Sequence, residues 1–194
     1  MSAKLISIIG PPAVGKTTLA ERLARELPAE LIREDYAGNP YLAESYVGRA
    51  EARLPSQLYF LNARVAQLSV TRWPAEGVFV SDYGFCQDCI YARLRLSEAD
   101  FRLYRRVARR LEGLIHRPEL VIRLDASVET LLRRISARGR DYERVMDREF
   151  ITTMREAYNN IDGCTGGISI DCDKVDLRQD GAGAKLLSQI REKL

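Results

Sequence analysis

An α/β fold, with a parallel five-stranded sheet between two helical layers, is what this 194-residue chain predicts. Three observations carry that prediction. Short apolar, β-branched runs recur along the chain, with helically spaced apolar stretches between them. A glycine-rich turn, "GPPAVGKTT" (10–18), joins the first run to the first helical stretch. Polar residues stand where the runs end, the edge at which such sheets gather their ligands. Strands alternating with helices come out parallel, because each crossover returns the chain in the same direction.

The elements follow in order. "KLISIIG" (4–10) reads as a buried strand, and "TTLAERLAREL" (17–27) as a helix with Leu19, Leu23 and Leu27 on one face. "AELIRE" (29–34), "GVFVSD" (77–82), "ELVIRLD" (119–125) and "GISIDC" (167–172) supply the other strands. A helix is expected over 56–73, where Leu58, Leu61, Val65 and Leu68 share a face. Another is expected over 97–115, opened by Ser-x-x-Asp, and one from Ser127 over 127–137. The chain closes on a helical stretch, 181–194. No repeat or linker divides it, so one domain spanning 1–194 is expected.

Composition removes several function classes. A net charge of +3 is too small to imply a nucleic-acid partner. No apolar run approaches the roughly 18 residues of a membrane span. "MSAKLISIIG" runs straight into the glycine loop without a secretory pattern, so the cytoplasm is expected. Cys86 and Cys89 form one C-x-x-C, but Cys164 and Cys172 lack the spacing of a second zinc pair. Two helix residues are the preferred reading of that C-x-x-C, with a redox pair as the alternative. The single His116 offers neither a His-based metal site nor a triad, and is read as structural.

The chemistry begins at the glycine loop. Gly10, four residues, then Gly15-Lys16-Thr17 is the phosphate-cradle pattern, set between strand and helix as that pattern requires. Gly10, Pro11, Pro12, Ala13, Val14, Gly15, Lys16, Thr17 and Thr18 form the expected cradle, in which the backbone N–H groups of the non-proline residues hold the phosphates. Lys16 reaches the outer phosphates, and Thr17 offers a hydroxyl to Mg²⁺. Phosphoryl transfer further needs an acidic group near the metal, positive charge on the migrating group and an orienting base. Asp82, at a strand end, suits the first. The arginines of "RRISARGRDYER" (133–144) suit the second, and Glu34, at another strand end, is the candidate base. A second arginine cluster, 102–110, sits at helical spacing and reads as a solvated or subunit-contact face.

At this point the chain resembles the deoxyribonucleoside kinases among P-loop kinases. The resemblance runs through "REDYAGNPYLAESY" (33–46), "SQLYFLNAR" (56–64), "FVSDYGF" (79–85), the 120–143 stretch and "ISIDCDKVDL" (168–177). Its most specific part is "RISARGRDYE", similar to the family's arginine lid, here taken as about 138–147. The resemblance implies a three-layer P-loop kinase fold and transfer of the γ-phosphate of ATP, with Mg²⁺, to a deoxynucleoside 5′-hydroxyl. It implies that Glu34 takes the hydroxyl proton, while Lys16, Arg134, Arg138 and Arg140 hold the phosphates. Tyr46 and Glu143 would hold the sugar 3′-hydroxyl, and Gln57 and Arg64 would meet the base. It also implies a homodimer, for which Phe101, Leu103, Val107 and Leu111 offer an apolar contact face.

Three positions depart from the family pattern. Tyr83, counted with the acceptor-contacting residues, stands after Asp82 where the family has arginine. The base-reading carboxylate falls on Asp88, or its place on Gln87, because the register is one residue short. Asp35 replaces a common proline, a local change. Two other readings stay open: a nucleoside monophosphate kinase of the thymidylate kinase type, and a nucleotide-binding protein of this fold without kinase activity. Against the former, a carboxylate such as Glu143 would repel an acceptor's own phosphate.

Overall fold

The computed structural model describes residues 3–161, 167–178 and 180–193. Five parallel strands, β1 (Lys4–Ile9), β2 (Glu30–Ile32), β3 (Val78–Ser81), β4 (Leu120–Asp125) and β5 (Ile168–Asp171), form one sheet in the order β2-β3-β1-β4-β5. Each lies within a run expected from its apolar pattern. Among the described residues eight α-helices follow in chain order: α1 (Lys16–Glu26), α2 (Leu42–Val47), α3 (Arg53–Leu68), α4 (Asp88–Arg95), α5 (Glu98–Leu111), α6 (Val128–Arg138), α7 (Arg148–Asn159) and α8 (Asp180–Arg191).

Strand β1 is central because both of its faces are apolar. Ile6 and Ile8 pack with Leu19, Leu23, Leu131, Ile151 and Ile190, which belong to α1, α6, α7 and α8. On the other face Leu5 packs with Leu68 and Phe79, and Ile9 with Ile90, Met154 and Tyr158. Burying one such side chain contributes about 1.5–3 kcal/mol, so the strand that feeds the glycine loop is anchored from both sides. No helix among the described residues is long and apolar enough to cross a membrane.

The caps follow the sequence signals. Ser97 and Ser127 accept the N–H groups of Asp100 and Thr130, and Gly139 ends α6 in the left-handed region at φ 68°. Helix α3 stops at Leu68, short of the expected 73. Ser69 forms an isolated antiparallel bridge with Ile115, and the Trp73 indole turns back to donate to the Gln67 carbonyl at 2.9 Å. His116 stacks on Trp73 with ring centres 4.4 Å apart, a packing role. Cys86 is disulfide-bonded, though not to Cys89, which is free; the redox reading of that C-x-x-C does not hold. Cys164 lies outside the described residues.

The contact face expected on α5 is mostly turned inward. Phe101, Val107 and Leu111 pack around Leu61, Ala92, Tyr104 and Ala108, while Leu103 remains half exposed. The arginines of 102–110 are all exposed, as a solvated face requires.

Candidate active site

The phosphate-binding end is built mainly from backbone. Gly10 and Gly15 hold φ of 148° and 116°, values that favour glycine. A Cβ on Gly10 would strike the Leu124 carbonyl oxygen, so glycine also lets the loop lie against β4. Helix α1 starts at Lys16 with no side-chain cap, which leaves its first N–H groups for an anion. The Lys16 ammonium lies among them, donating to the carbonyls of Gly10 at 2.8 Å and Pro11 at 3.0 Å. Burial lowers its pKa to about 8, against the opposing pull of Asp82.

Asp82 ties this loop to the neighbouring strand. Its Oδ2 accepts the Thr17 hydroxyl at 2.6 Å, and its Oδ1 accepts the Glu34 backbone N–H at 2.8 Å. The β3 end therefore fixes the first turn of α1 and the residue after β2 together. Burial raises the Asp82 pKa, with the Thr17 bond and Lys16 opposing.

The other end of the same cavity, about 360 Å³ in volume, is built from side chains. Gln57, Phe60 and Arg64 fall on one buried face of α3 at three- and four-residue spacing. Arg64 forms ion pairs with both Glu34 and Asp88, all three side chains at most 5% exposed. Its guanidinium carbon lies 5.4 Å from the Phe60 ring centre and 5.2 Å from that of Tyr83. Burial lowers the Arg64 pKa. Tyr36, Leu42, Tyr46 and Tyr91 complete the apolar wall.

The arginine-rich segment after α6 closes the cavity. Arg138 makes a two-point contact with Glu143, Nε to Oε2 at 3.0 Å and Nη2 to Oε1 at 2.5 Å. Arg140 lies 3.5 Å from the same carboxylate, donates to the Tyr142 hydroxyl at 3.1 Å and sits 5.0 Å from the Tyr36 ring centre. Arg134 bridges the Val14 carbonyl at 2.9 Å and that of Cys172 at 3.2 Å. Glu143 is only 3% exposed yet lines the cavity.

The expected site residues thus fall into two groups. Pro12, Ala13, Gly15, Lys16, Thr17, Thr18, Glu34, Tyr46, Gln57, Arg64, Arg134, Arg138, Arg140 and Glu143 line one cavity. Gly10, Pro11, Val14 and Asp82 stand behind that lining. Asp88 also lies behind it, against Arg64, whereas the Gln87 side chain accepts the Tyr158 hydroxyl at 3.2 Å. Tyr83 does not reach the cavity, contrary to its expected acceptor contact. It is fully buried, donates its hydroxyl to Gln67 Oε1 at 2.6 Å and lays its ring against Arg64. Asp35 is local, as expected, accepting the Gly38 N–H at 2.8 Å and the Tyr59 hydroxyl at 2.5 Å.

Sequence reasoning did not single out Tyr36, Phe60, Tyr91 and Tyr142. Phe60 was within reach, because it falls between Gln57 and Arg64 on the same helix face. Tyr91 gave no signal, since it comes to the cavity through the packing of α4 among α3, α5 and α7.

Known proteins resemble this chain in sequence and, separately, in fold. The family described as "Deoxynucleoside kinase" matches residues 6–193. A deoxyadenosine kinase of Dictyostelium discoideum is 32% identical over 159 residues, which is 79% of this chain and 64% of that enzyme, so the match spans less than two thirds of its length. A deoxyguanosine kinase of Bacillus subtilis (strain 168) is 31% identical over 160 residues, covering 81% of this chain and 77% of that one. A structure of deoxyadenosine kinase from M. mycoides with bound dATP superposes with a TM-score of 0.78 at 21% identity, over 97% of this chain and 99% of that chain.

Proposed function

This chain belongs to the deoxynucleoside kinase family, and on that premise we propose that it transfers the γ-phosphoryl group of ATP to the 5′-hydroxyl of a deoxynucleoside. The observation that carries the reading is one cavity with Lys16 and Thr17 at one end and the buried pair Glu34–Arg64 at the other. A phosphate-binding end and an acid–base end facing one space are what transfer between two small molecules requires.

Each residue then has a task. The glycine loop and the α1 N-terminus hold the ATP phosphates, with Lys16 on the outer ones. Glu34 accepts the proton of the 5′-hydroxyl as that oxygen attacks the γ-phosphorus and the bond to the ADP oxygen breaks. Arg134, Arg138 and Arg140, in a lid of about 138–147 and the helix before it, offset the charge on the migrating group. Tyr46 and Glu143 hold the sugar, and Gln57, backed by Arg64 and Asp88, reads the base. Thr17 and Asp82 offer only oxygen donors, which suits Mg²⁺. When bound, Mg²⁺ screens the phosphate charge. A homodimer acting in the cytoplasm belongs to the same proposal.

The test is a product assay with ATP and Mg²⁺, offering deoxynucleosides, ribonucleosides and their 5′-monophosphates. The expected result is one phosphate added to a deoxynucleoside. Phosphorylation of monophosphates alone would assign the chain to the other kinase class, and ATP binding without any product would remove the enzyme reading.

A further inference from the structure

Behind the Tyr46 ring stands a cation that does not enter the cavity. Arg95 ends α4 and is 8% exposed. Its guanidinium carbon is 3.5 Å from the centre of the Tyr46 ring, and its Nη2 donates to the Ser45 carbonyl and to Ser45 Oγ at 3.3 Å. No carboxylate among the described residues pairs with it. A buried guanidinium is costly unless its charge is met, and the usual partner is a carboxylate. Here the compensation is one carbonyl, one hydroxyl and an aromatic face belonging to the acceptor cavity.

That ring is the first step of a longer contact. Tyr46 meets Tyr142 with ring centres 5.6 Å apart. Tyr142 accepts from Arg140, and Arg140 lies over Tyr36, whose N–H donates to the Glu34 carbonyl at 3.1 Å. Cations and aromatics therefore run from the end of α4, through α2 and the 138–147 segment, to the loop that carries Glu34.

We propose that Arg95 is a positioning residue of the acceptor site, fixing the Tyr46 ring and, through Tyr142 and Arg140, holding the 138–147 segment over the cavity. The charge on the ring face also polarises the phenol: burial raises the Tyr46 pKa, and Arg95 opposes that rise. Arg95 thus makes Tyr46 a stronger hydrogen-bond donor towards an acceptor hydroxyl. The placement of the segment stands on contacts alone; its consequence for catalysis rests on the kinase reading above.

Arg95→Met keeps the long apolar stem and removes the charge. Two readouts separate the inference from that reading. Amide exchange across 138–147, measured without added nucleotide, should quicken by about tenfold. In the kinase assay the deoxynucleoside KM should rise by about tenfold while the ATP KM stays within about twofold, with Arg95→Lys recovering part of the loss. A residue that only stabilised the fold would lower Tm and move both KM values together. Unchanged exchange over 138–147 would overturn the proposal, as would equal changes in the two KM values. If the wild-type protein phosphorylates nothing, the kinase reading fails and the exchange measurement alone decides this one. If Arg95→Met does not fold, Arg95→Gln keeps a donor for the Ser45 oxygens and removes the charge while leaving Tyr46 and Tyr142 in place. The proposal then stands if exchange over 138–147 quickens and falls if it does not.

Discussion

The two ends of the cavity are made in different ways. At the phosphate end, nine consecutive residues and one distant carboxylate form the cradle beneath the arginines of α6 and the segment after it, and most of the cradle's groups are backbone. At the acceptor end, Glu34, Gln57, Arg64 and Asp88 come from three places in the chain and meet as buried side chains. Backbone geometry tolerates substitution wherever φ and space allow. A buried ion-pair cluster does not, because removing one member strands the charge of the others. Substitutions at the acceptor end should therefore damage both stability and chemistry, and those at the phosphate end mostly affinity.

The largest effect tests the acceptor end directly. Glu34→Gln keeps the shape and removes the base, so kcat should fall by about 10²–10⁴-fold. ATP binding should change little, because the Glu34 contact to the phosphate end is made by its backbone N–H on Asp82. Steady-state kinetics beside calorimetric ATP binding would check this. A near-wild-type kcat removes the base assignment; a matching loss of ATP affinity would mean that the two ends are not separable.

Tyr83→Arg comes next, and here the structure reverses the simplest expectation from the family. Restoring the family arginine should raise activity if the acceptor site were of the ordinary type. Tyr83 is instead fully buried against Arg64, with its hydroxyl on Gln67. A second guanidinium placed there faces the first across a few ångströms, and the carboxylates of Glu34 and Asp88 are already paired with Arg64. The expected outcome is a loss of about 3 kcal/mol in denaturant-measured stability, with no gain in acceptor affinity. A gain in activity without loss of stability would show that Arg64 leaves Glu34 short of positive charge.

What the sequence could and could not tell follows the same division. The sheet, the glycine loop and the helix caps are local patterns, so the five strands and α1 were readable from spacing. The ends of α3 were less so, because its C-terminus is set by a bridge to Ile115, 46 positions on from Ser69. Glu34, Gln57, Arg64 and Glu143 could be named by resemblance, but not the pairing of one arginine with two carboxylates. That pairing depends on where α3 and α4 cross, and no local pattern encodes it. Tyr83 was misplaced for the same reason: its position in the chain is that of a site residue, while its side chain packs with Leu5, Leu68 and Phe79.

The phosphate end yields a smaller, pH-dependent effect. Lys16 has a pKa lowered to about 8 by burial, whereas bound polyphosphate raises it. Below pH 8 the lysine is charged in both states, so affinity is flat in this group. Above pH 8 the free protein loses the proton and binding must take one up, so ATP affinity should fall by up to about tenfold per pH unit. Calorimetry at pH 8.5 in two buffers of different ionisation enthalpy should report net proton uptake. Affinity that stays level to pH 9.5 would mean that Lys16 keeps its charge without a ligand.

The smallest effect lies outside the cavity and asks whether α6 transmits disturbance along its length. Ser127 caps the helix whose other end carries Arg134 and Arg138, accepting from Thr130 N–H at 3.3 Å and donating to Asp173 at 3.2 Å. Ser127→Ala should cost about 1 kcal/mol, lowering Tm by about 2–4 °C. Catalysis should be unchanged, because the arginine end is held independently, Arg134 by the Val14 and Cys172 carbonyls and Arg138 by Glu143. Leu131, between the cap and Arg134, and Ile135, between Arg134 and Arg138, also anchor the helix in the core. A fall in kcat at full occupancy by both substrates would show that these anchors do not isolate the arginines from the cap. The helix would then join the acceptor end, where stability and chemistry cannot be altered separately.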